Sequence, residues 1–262
     1  MKGEIIHKLQ LYYKDEYIRL FQGDCLEVMD RLIEKDIKFD AIITDPPYGT
    51  TACKWDAVIP FNNMWERVNK LIKDNSAIVL FSSQPFTSAL IMSNPKSYKC
   101  EWIWEKDNAC NFIQAKNHPM KYHENIIIFG KNKITYNPIM VDAGKPSNVG
   151  GKNTPRTIKG GFLPNEVANI GSNKSNLRYP RSIQYFSKPK HNSPEGLHHP
   201  TQKPLALCEY LINTYTNEND LILDFTCGSG TTLLAARNLK RKCIGIELEE
   251  KYCEIAKNRL TA

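Results

Sequence analysis

The sequence predicts an α/β fold, a parallel sheet with helices on both faces, and three observations carry that expectation. Short apolar, β-branched runs alternate with longer amphipathic ones along most of the chain, the pattern of strand–helix–strand units. Two of the short runs end in an aspartate followed at once by an unusual turn, Asp45-Pro46-Pro47-Tyr48 in one case and Asp224 leading to Gly228-Ser229-Gly230 in the other. A length of 262 residues suits one such domain with an insertion or a small second domain.

Residues 1–16 carry no clear signal. Residues 17–22 read as a strand that ends at Gly23-Asp24, and an amphipathic helix follows over 26–33 with Asp24 as a candidate N-cap. The next strand, 39–44, delivers Asp45-Pro46-Pro47-Tyr48. Two prolines lack backbone donors, fix φ near −65° and keep the preceding residue extended, so this is a stiff ledge with a carboxylate on one side and a ring on the other. In open α/β sheets ligands bind at that edge. Taken alone, Asp-Pro-Pro reads more readily as a proline turn with a capping aspartate, and the second motif reverses that preference. The polar loop 49–56 contains Lys54 and Trp55; such a loop can close over a substrate base, or Trp55 can pack beneath it. A helix over 61–72, a strand over 77–81, a helix over 86–92 and strands over 98–104 and 124–129 complete this half. The second half reads as a helix from Pro204 to 215, a strand over 220–224, a helix over 233–239, a strand over 242–247 and a last helix through Leu260.

The turn after Asp224 runs Phe225-Thr226-Cys227-Gly228-Ser229-Gly230-Thr231-Thr232. Glycine there permits unusual φ and close approach of a ligand to the backbone. It lacks the Lys-Ser/Thr ending of a phosphate loop and the third glycine of a dinucleotide fingerprint. Asp224 would repel a pyrophosphate and welcome a cationic amine. The strand over 242–247 then ends in Glu247, placed to accept hydrogen bonds from ribose hydroxyls. A nucleoside carrying an ammonium and no phosphate describes S-adenosylmethionine.

Charge is segregated. The chain carries +7 overall, but residues 131–190 hold eleven Lys/Arg against Asp142 and Glu166, a net of +9, which leaves −2 for the rest. That segment, 131–195, is crowded with Asn, Gly, Pro and Ser and lacks periodicity, so it reads as functional loop or as disorder, and its charge as a phosphate-contacting surface. The eight cysteines have no Cys-x-x-Cys spacing, and Cys25, Cys100 and Cys243 read as buried reduced thiols. The six histidines form no metal pattern, so no metal is expected. The longest apolar run, 77–81, is too short for a bilayer, and the N-terminus has no signal-peptide layout, so a cytoplasmic protein without membrane partners is expected. The dipeptide Pro-Cys does not occur.

Asp45-Pro46-Pro47-Tyr48 together with Asp224-x-x-Cys227-Gly228-Ser229-Gly230-Thr231-Thr232 resembles the amino-group DNA methyltransferases. Gly23-Asp24-Cys25 and His199-Pro200-Thr201-Gln202-Lys203-Pro204 resemble further family motifs. The order, catalytic motif first and cofactor loop last, is similar to the circularly permuted β class. The resemblance implies a Rossmann-like S-adenosylmethionine-dependent methyltransferase sheet over 1–130 and 196–262, with an inserted target-recognition region over 131–195. It implies catalysis by Asp45, Pro46, Pro47 and Tyr48. Asp45 and the Pro46 carbonyl would accept from the target amine, whose lone pair then points outward. Tyr48 would stack on a base flipped from the duplex. The cofactor set would be Asp24, Cys25, Asp45, Lys203, Asp224, Phe225, Gly228, Ser229, Gly230, Thr231, Thr232 and Glu247. Within it Asp24 takes the cofactor's adenine amine, Asp224 its amino group, and Lys203 with the helix start at Pro204 its carboxylate. DNA would be held by Lys54, Trp55, Lys152, Arg156, Arg178 and Arg181.

The partner expected is double-stranded DNA, with a second copy of the chain and a cognate restriction enzyme as candidates, in a bacterial or phage-encoded setting. Aspartate at the first catalytic position accompanies adenine in the resembled family, where serine accompanies cytosine. The expected product is therefore N6-methyladenine in a specific sequence, with cytosine-N4 methylation as the alternative. A dinucleotide-dependent oxidoreductase, an inactive DNA-binding relative and an RNA substrate are further alternatives.

Overall fold

A computed structural model describes residues 10–50, 56–144, 175–193 and 195–262. The chain divides into a larger unit, residues 1–137 with 182–262, and a smaller one, residues 138–181. The segment set apart by composition, 131–195, contributes to both.

The larger unit is built on a nine-stranded sheet. Its strands are β1 (Gln10–Lys14), β2 (Ile18–Gln22), β3 (Phe39–Thr44), β4 (Ile72–Ser82), β5 (Tyr98–Glu105), β6 (His123–Phe129), β9 (Ile183–Tyr185), β10 (Leu221–Asp224) and β11 (Lys242–Glu247). The helices are α1 (Cys25–Glu34), α2 (Phe61–Leu71), α3 (Phe86–Ser93), α4 (Leu205–Tyr215), α5 (Thr231–Asn238) and α6 (Glu250–Thr261). Spatial order is β1-β2-β11-β10-β3-β4-β6-β5-β9. In the smaller unit β7 (Val141–Asp142) pairs antiparallel with β8 (Leu177–Arg178).

Alternate residues of each strand feed two separate cores. Ala77, Val79 and Phe81 of β4 face one core with Leu207, Leu211, Leu233 and Ala256, whereas Ile78 and Leu80 face the other with Met29, Leu32, Val68 and Leu90. Helices α4–α6 thus cover one face and α1–α3 the other. Burial on both sides explains why the central strands are continuous apolar runs.

The sheet is mixed, not wholly parallel. β6 runs antiparallel to both β4 and β5, and β1 antiparallel to β2. The unread β1 is an edge strand whose residues stay largely exposed, so it shows no burial pattern in sequence. Two cysteines also differ from expectation: Cys100 is exposed, in the stretch of β5 that β9 does not pair with, and Cys25, the first residue of α1, is only partly buried. Among the described residues no helix is long and apolar enough to cross a membrane.

Candidate active site

The chain leaves β10 through α5 to β11 on one side, and leaves β3 through α2 to β4 on the other, so the strand order reverses between β10 and β3. A crevice opens outside the carboxyl ends of strands at such a point. A cavity of about 580 Å³ lies there, the size of a small-molecule site. Its walls are the carboxyl ends of β2, β11, β10, β3, β4 and β5. Because β6 runs backwards, it contributes its amino end, Glu124.

The two motifs meet at the centre. Thr44 Oγ1 donates to Asp224 Oδ1 at 2.7 Å, and Thr226 Oγ1 donates to the Asp45 carbonyl at 3.1 Å, which ties the ends of β3 and β10 together. Beyond the prolines the chain folds back because Asp56 accepts from the backbone N–H groups of Tyr48, Gly49 and Thr50 at 2.8, 2.9 and 2.8 Å. Both Asp45 oxygens are engaged. The Tyr48 hydroxyl donates to Oδ1 at 2.5 Å, and the buried Lys203 ammonium is bonded to Oδ2. Burial pushes the Asp45 carboxyl up, and the Lys203 charge opposes that push. The Tyr48 ring is backed by Phe86, centroids 5.1 Å apart.

On the β4–β6–β5 side the network continues. Glu124 Oε1 is bonded to Lys106, and its Oε2 lies 3.6 Å from Lys203 Nζ. Burial raises the Glu124 carboxyl, but the two lysines outweigh it and hold the group below the ordinary carboxylate range. The Lys106 ammonium stands 4.6 Å from the Trp104 ring, whose indole N–H donates to the Phe186 carbonyl at 2.7 Å.

The charged groups lining the opposite end, under β2, β11 and β10, are acidic. Asp24 caps α1 with Oδ1, accepting from Leu26 and Glu27 at 2.8 and 3.2 Å. Glu247 accepts from Gly228 N–H at 2.8 Å and Glu249 N–H at 2.9 Å, one per oxygen, which leaves each oxygen a lone pair. Asp224 is buried and, among the described residues, has no ion pair; burial lifts it to about 7. An acidic, phosphate-repelling end with a buried carboxyl at Asp224 fits a nucleoside that carries an ammonium, and does not fit a dinucleotide.

Most of the expected site residues line this cavity: Asp24, Cys25, Asp45, Pro46, Pro47, Tyr48, Lys203, Asp224, Phe225, Gly228, Ser229, Thr231, Thr232 and Glu247. Gly230 is not in the wall but shapes the turn from behind it, capping α5 at φ +77°, and a Cβ there would lie 2.8 Å from that of Ala256. Lys203 is committed to Asp45 instead of standing free for a carboxylate, and the first α4 amide, Leu205 N–H, is taken by Glu195 at 2.9 Å. Of the residues assigned to DNA, Lys54, Trp55, Lys152 and Arg156 lie outside the described residues. Arg178, in β8, donates to the Ser175 and Leu177 carbonyls, and Arg181 is exposed. Sequence reasoning missed Asp56, Lys106, Glu124 and Arg259. The last is buried and braces the cofactor turn, donating to Ser229 O at 2.7 Å, Ser229 Oγ at 3.1 Å and Thr231 Oγ1 at 3.0 Å.

Known proteins place this arrangement. The DNA methylase family model for N6 and N4 methyltransferases matches residues 39–258. The Type II methyltransferase M1.MboII of Moraxella bovis is 28% identical over 260 residues, 90% of this chain and 94% of that one. The DNA adenine methyltransferase YhdJ of Escherichia coli is 26% identical over 264 residues, 95% of this chain and 84% of that one. The crystal structure of the M1.HpyAVI–SAM complex superposes with a TM-score of 0.65 at 29% identity, covering 94% of this chain and all of that one. With its two motifs meeting in one crevice, the chain belongs to the DNA methylase family and is an amino-group DNA methyltransferase that uses S-adenosylmethionine.

Proposed function

We propose that the enzyme methylates the N6 amine of adenine within a specific duplex sequence. The observation that carries this reading is Asp45, a carboxylate held in mid-cavity between two donors at the point where the cofactor end gives way to the β4–β6–β5 end. S-adenosylmethionine supplies the electrophilic methyl group when bound. Asp24 Oδ2 and Glu247 would hold its adenosine and Asp224 its amino group, while Phe225, Cys25 and the turn from Gly228 to Thr232 shape the pocket. The chain's own work is on the amine. A base nitrogen is a poor nucleophile because its lone pair is delocalised into the ring. Asp45 and the Pro46 carbonyl accept its two hydrogens, turn the lone pair outward and stabilise the positive charge it gains. Tyr48, backed by Phe86, gives the flipped base a rigid face to stack on.

The basic segment 131–195 acts as the target-recognition region, with Lys152, Arg156, Arg178 and Arg181 on bases or phosphates and Lys54 and Trp55 near the flipped base. Aspartate in first place and the similarity to YhdJ favour adenine. A cognate restriction enzyme accords with the similarity to Type II methyltransferases, and a second copy of the chain is the other candidate partner. Incubation of duplex DNA with methyl-labelled S-adenosylmethionine, digestion to nucleosides and mass spectrometry is expected to give N6-methyladenine. Label confined to the cytosine amine overturns the choice of base and leaves the chemistry at Asp45 intact.

A further inference from the structure

We infer that Glu124 is a positioning residue that receives the Lys203 ammonium when the target amine takes Lys203's place on Asp45. The inference rests on the reading of Asp45 as the acceptor of that amine. Both Asp45 oxygens that such an amine can reach already accept a bond, Oδ1 from the Tyr48 hydroxyl and Oδ2 from the Lys203 ammonium, and of these two donors only Lys203 is a cation. The lysine side chain is buried and lined by the Phe81 ring, 5.2 Å from Nζ, and its other hydrogen bond goes to the Thr201 carbonyl at 3.4 Å. It therefore cannot leave for water. One acceptor close by has room for it. Glu124 Oε2 is buried without a hydrogen-bond partner, 3.6 Å from Nζ, while Oε1 is held by Lys106. Closing by under ~1 Å brings the pair to the ~2.7–2.9 Å of a charge-assisted bond.

The base cannot satisfy that oxygen itself. Adenine and cytosine, once joined to a sugar, carry no N–H except on the exocyclic amine. Both of those hydrogens are taken by Asp45 and the Pro46 carbonyl. Lys106 serves the other oxygen, and among the described residues the cation nearest Oε2 is the Lys203 ammonium. Charge points the same way. As the methyl arrives, the amine becomes cationic; with Lys203 still on Asp45, two cations would share one carboxylate. Moved to Glu124, the lysine leaves Asp45 wholly to the amine. Lys203 thus holds the place of the substrate nitrogen, and Glu124 is where it waits.

The test is a double-mutant cycle on the full chain, using a duplex that carries the sequence it methylates, with binding of S-adenosylmethionine as the check on folding. Glu124→Gln is expected to slow single-turnover methylation by about tenfold or more and to leave cofactor affinity unchanged. In a Lys203→Met background the same substitution should cost less than about twofold, since no ammonium remains to be received. An equal cost in both backgrounds would mean that Glu124 acts only through Lys106 and would overturn the inference. If Lys203→Met has no measurable turnover, the readout becomes the 15N signal of the Lys203 ammonium with S-adenosylhomocysteine bound. Adding the duplex should shift it in the unaltered enzyme and not in Glu124→Gln; no shift in the unaltered enzyme rejects the hand-over. Failure of the unaltered enzyme to methylate DNA would instead reject the function.

Discussion

At the scale of single residues, the cavity holds two aspartates with opposite problems. Asp45 has two donors, and Asp224, among the described residues, has no ion pair. With its carboxylate assigned by the proposal to the amine, Asp45→Ala is expected to abolish methylation while S-adenosylmethionine affinity stays within about tenfold. It also strands a buried lysine, so a loss of about 2–3 kcal/mol in chemical denaturation should accompany it, with Glu124 softening the effect. Loss of cofactor binding with normal turnover at saturation would reverse the assignment. Asp224 sets a pH dependence. Its pKa in the folded chain, about 7, lies above that of an unfolded aspartate. Between roughly pH 4 and 7 the folded state therefore binds more protons, and the free protein should lose stability as pH rises through that window. An ammonium beside Asp224 favours the ionised form, so cofactor binding below about pH 7 should release a proton, and affinity should fall about tenfold from pH 8 to pH 6. Calorimetry in buffers of different ionisation enthalpy reads that proton directly, and Asp224→Asn should silence it.

At the scale of elements, the cofactor turn is locked to the chain's last helix. Gly230 packs against Ala256 of α6, and Arg259 of α6 holds Ser229 and Thr231, although Arg259 itself is not in the cavity wall. Arg259→Met is expected to weaken S-adenosylmethionine about tenfold and leave the rate at saturation nearly unchanged; an equal fall in rate would place the arginine in the chemistry. Gly230→Ala should destabilise the fold by ~1 kcal/mol or more, since it combines a left-handed φ with a clash. This division also explains what the sequence could reveal. The ledge after β3 and the turn after β10 each line the cavity with contiguous residues, so both could be placed in sequence with the strands that present them. Glu124, Lys106 and Arg259 matter only through partners brought close by β6 running backwards and by α6 packing on the turn. Nothing local marks them. The same holds for Lys203, whose motif was visible but whose partner, 158 residues away, was not.

At the scale of the whole molecule, charge and chemistry occupy different stretches of chain. The catalytic strands sit in a sequence background of −2, and the excess of +9 falls within 131–190. Neutralising basic residues over 145–190 should weaken DNA binding and flatten its salt dependence by about one unit per lost phosphate contact, with S-adenosylmethionine binding intact. An unchanged slope would remove the segment from the backbone contacts. Composition exposed this division, but not its register. Asn137 already bonds to α4, and β9 returns to the sheet at 183, because a strand of three residues can be recruited by its neighbour without an apolar pattern of its own.

Trp104 gives the enzyme an optical voice. Its indole lines the cavity wall with the Lys106 ammonium 4.6 Å from the ring, and indole emission responds to nearby charge. Trp104 is as buried as Trp65 and Trp102, but of these three only Trp104 reaches that wall. With phenylalanine at the other three tryptophan positions, the intrinsic fluorescence of this one ring should change in colour or yield as a base enters beside it. The arrival of a nucleotide could then be timed by light from the protein itself, without a label on the DNA.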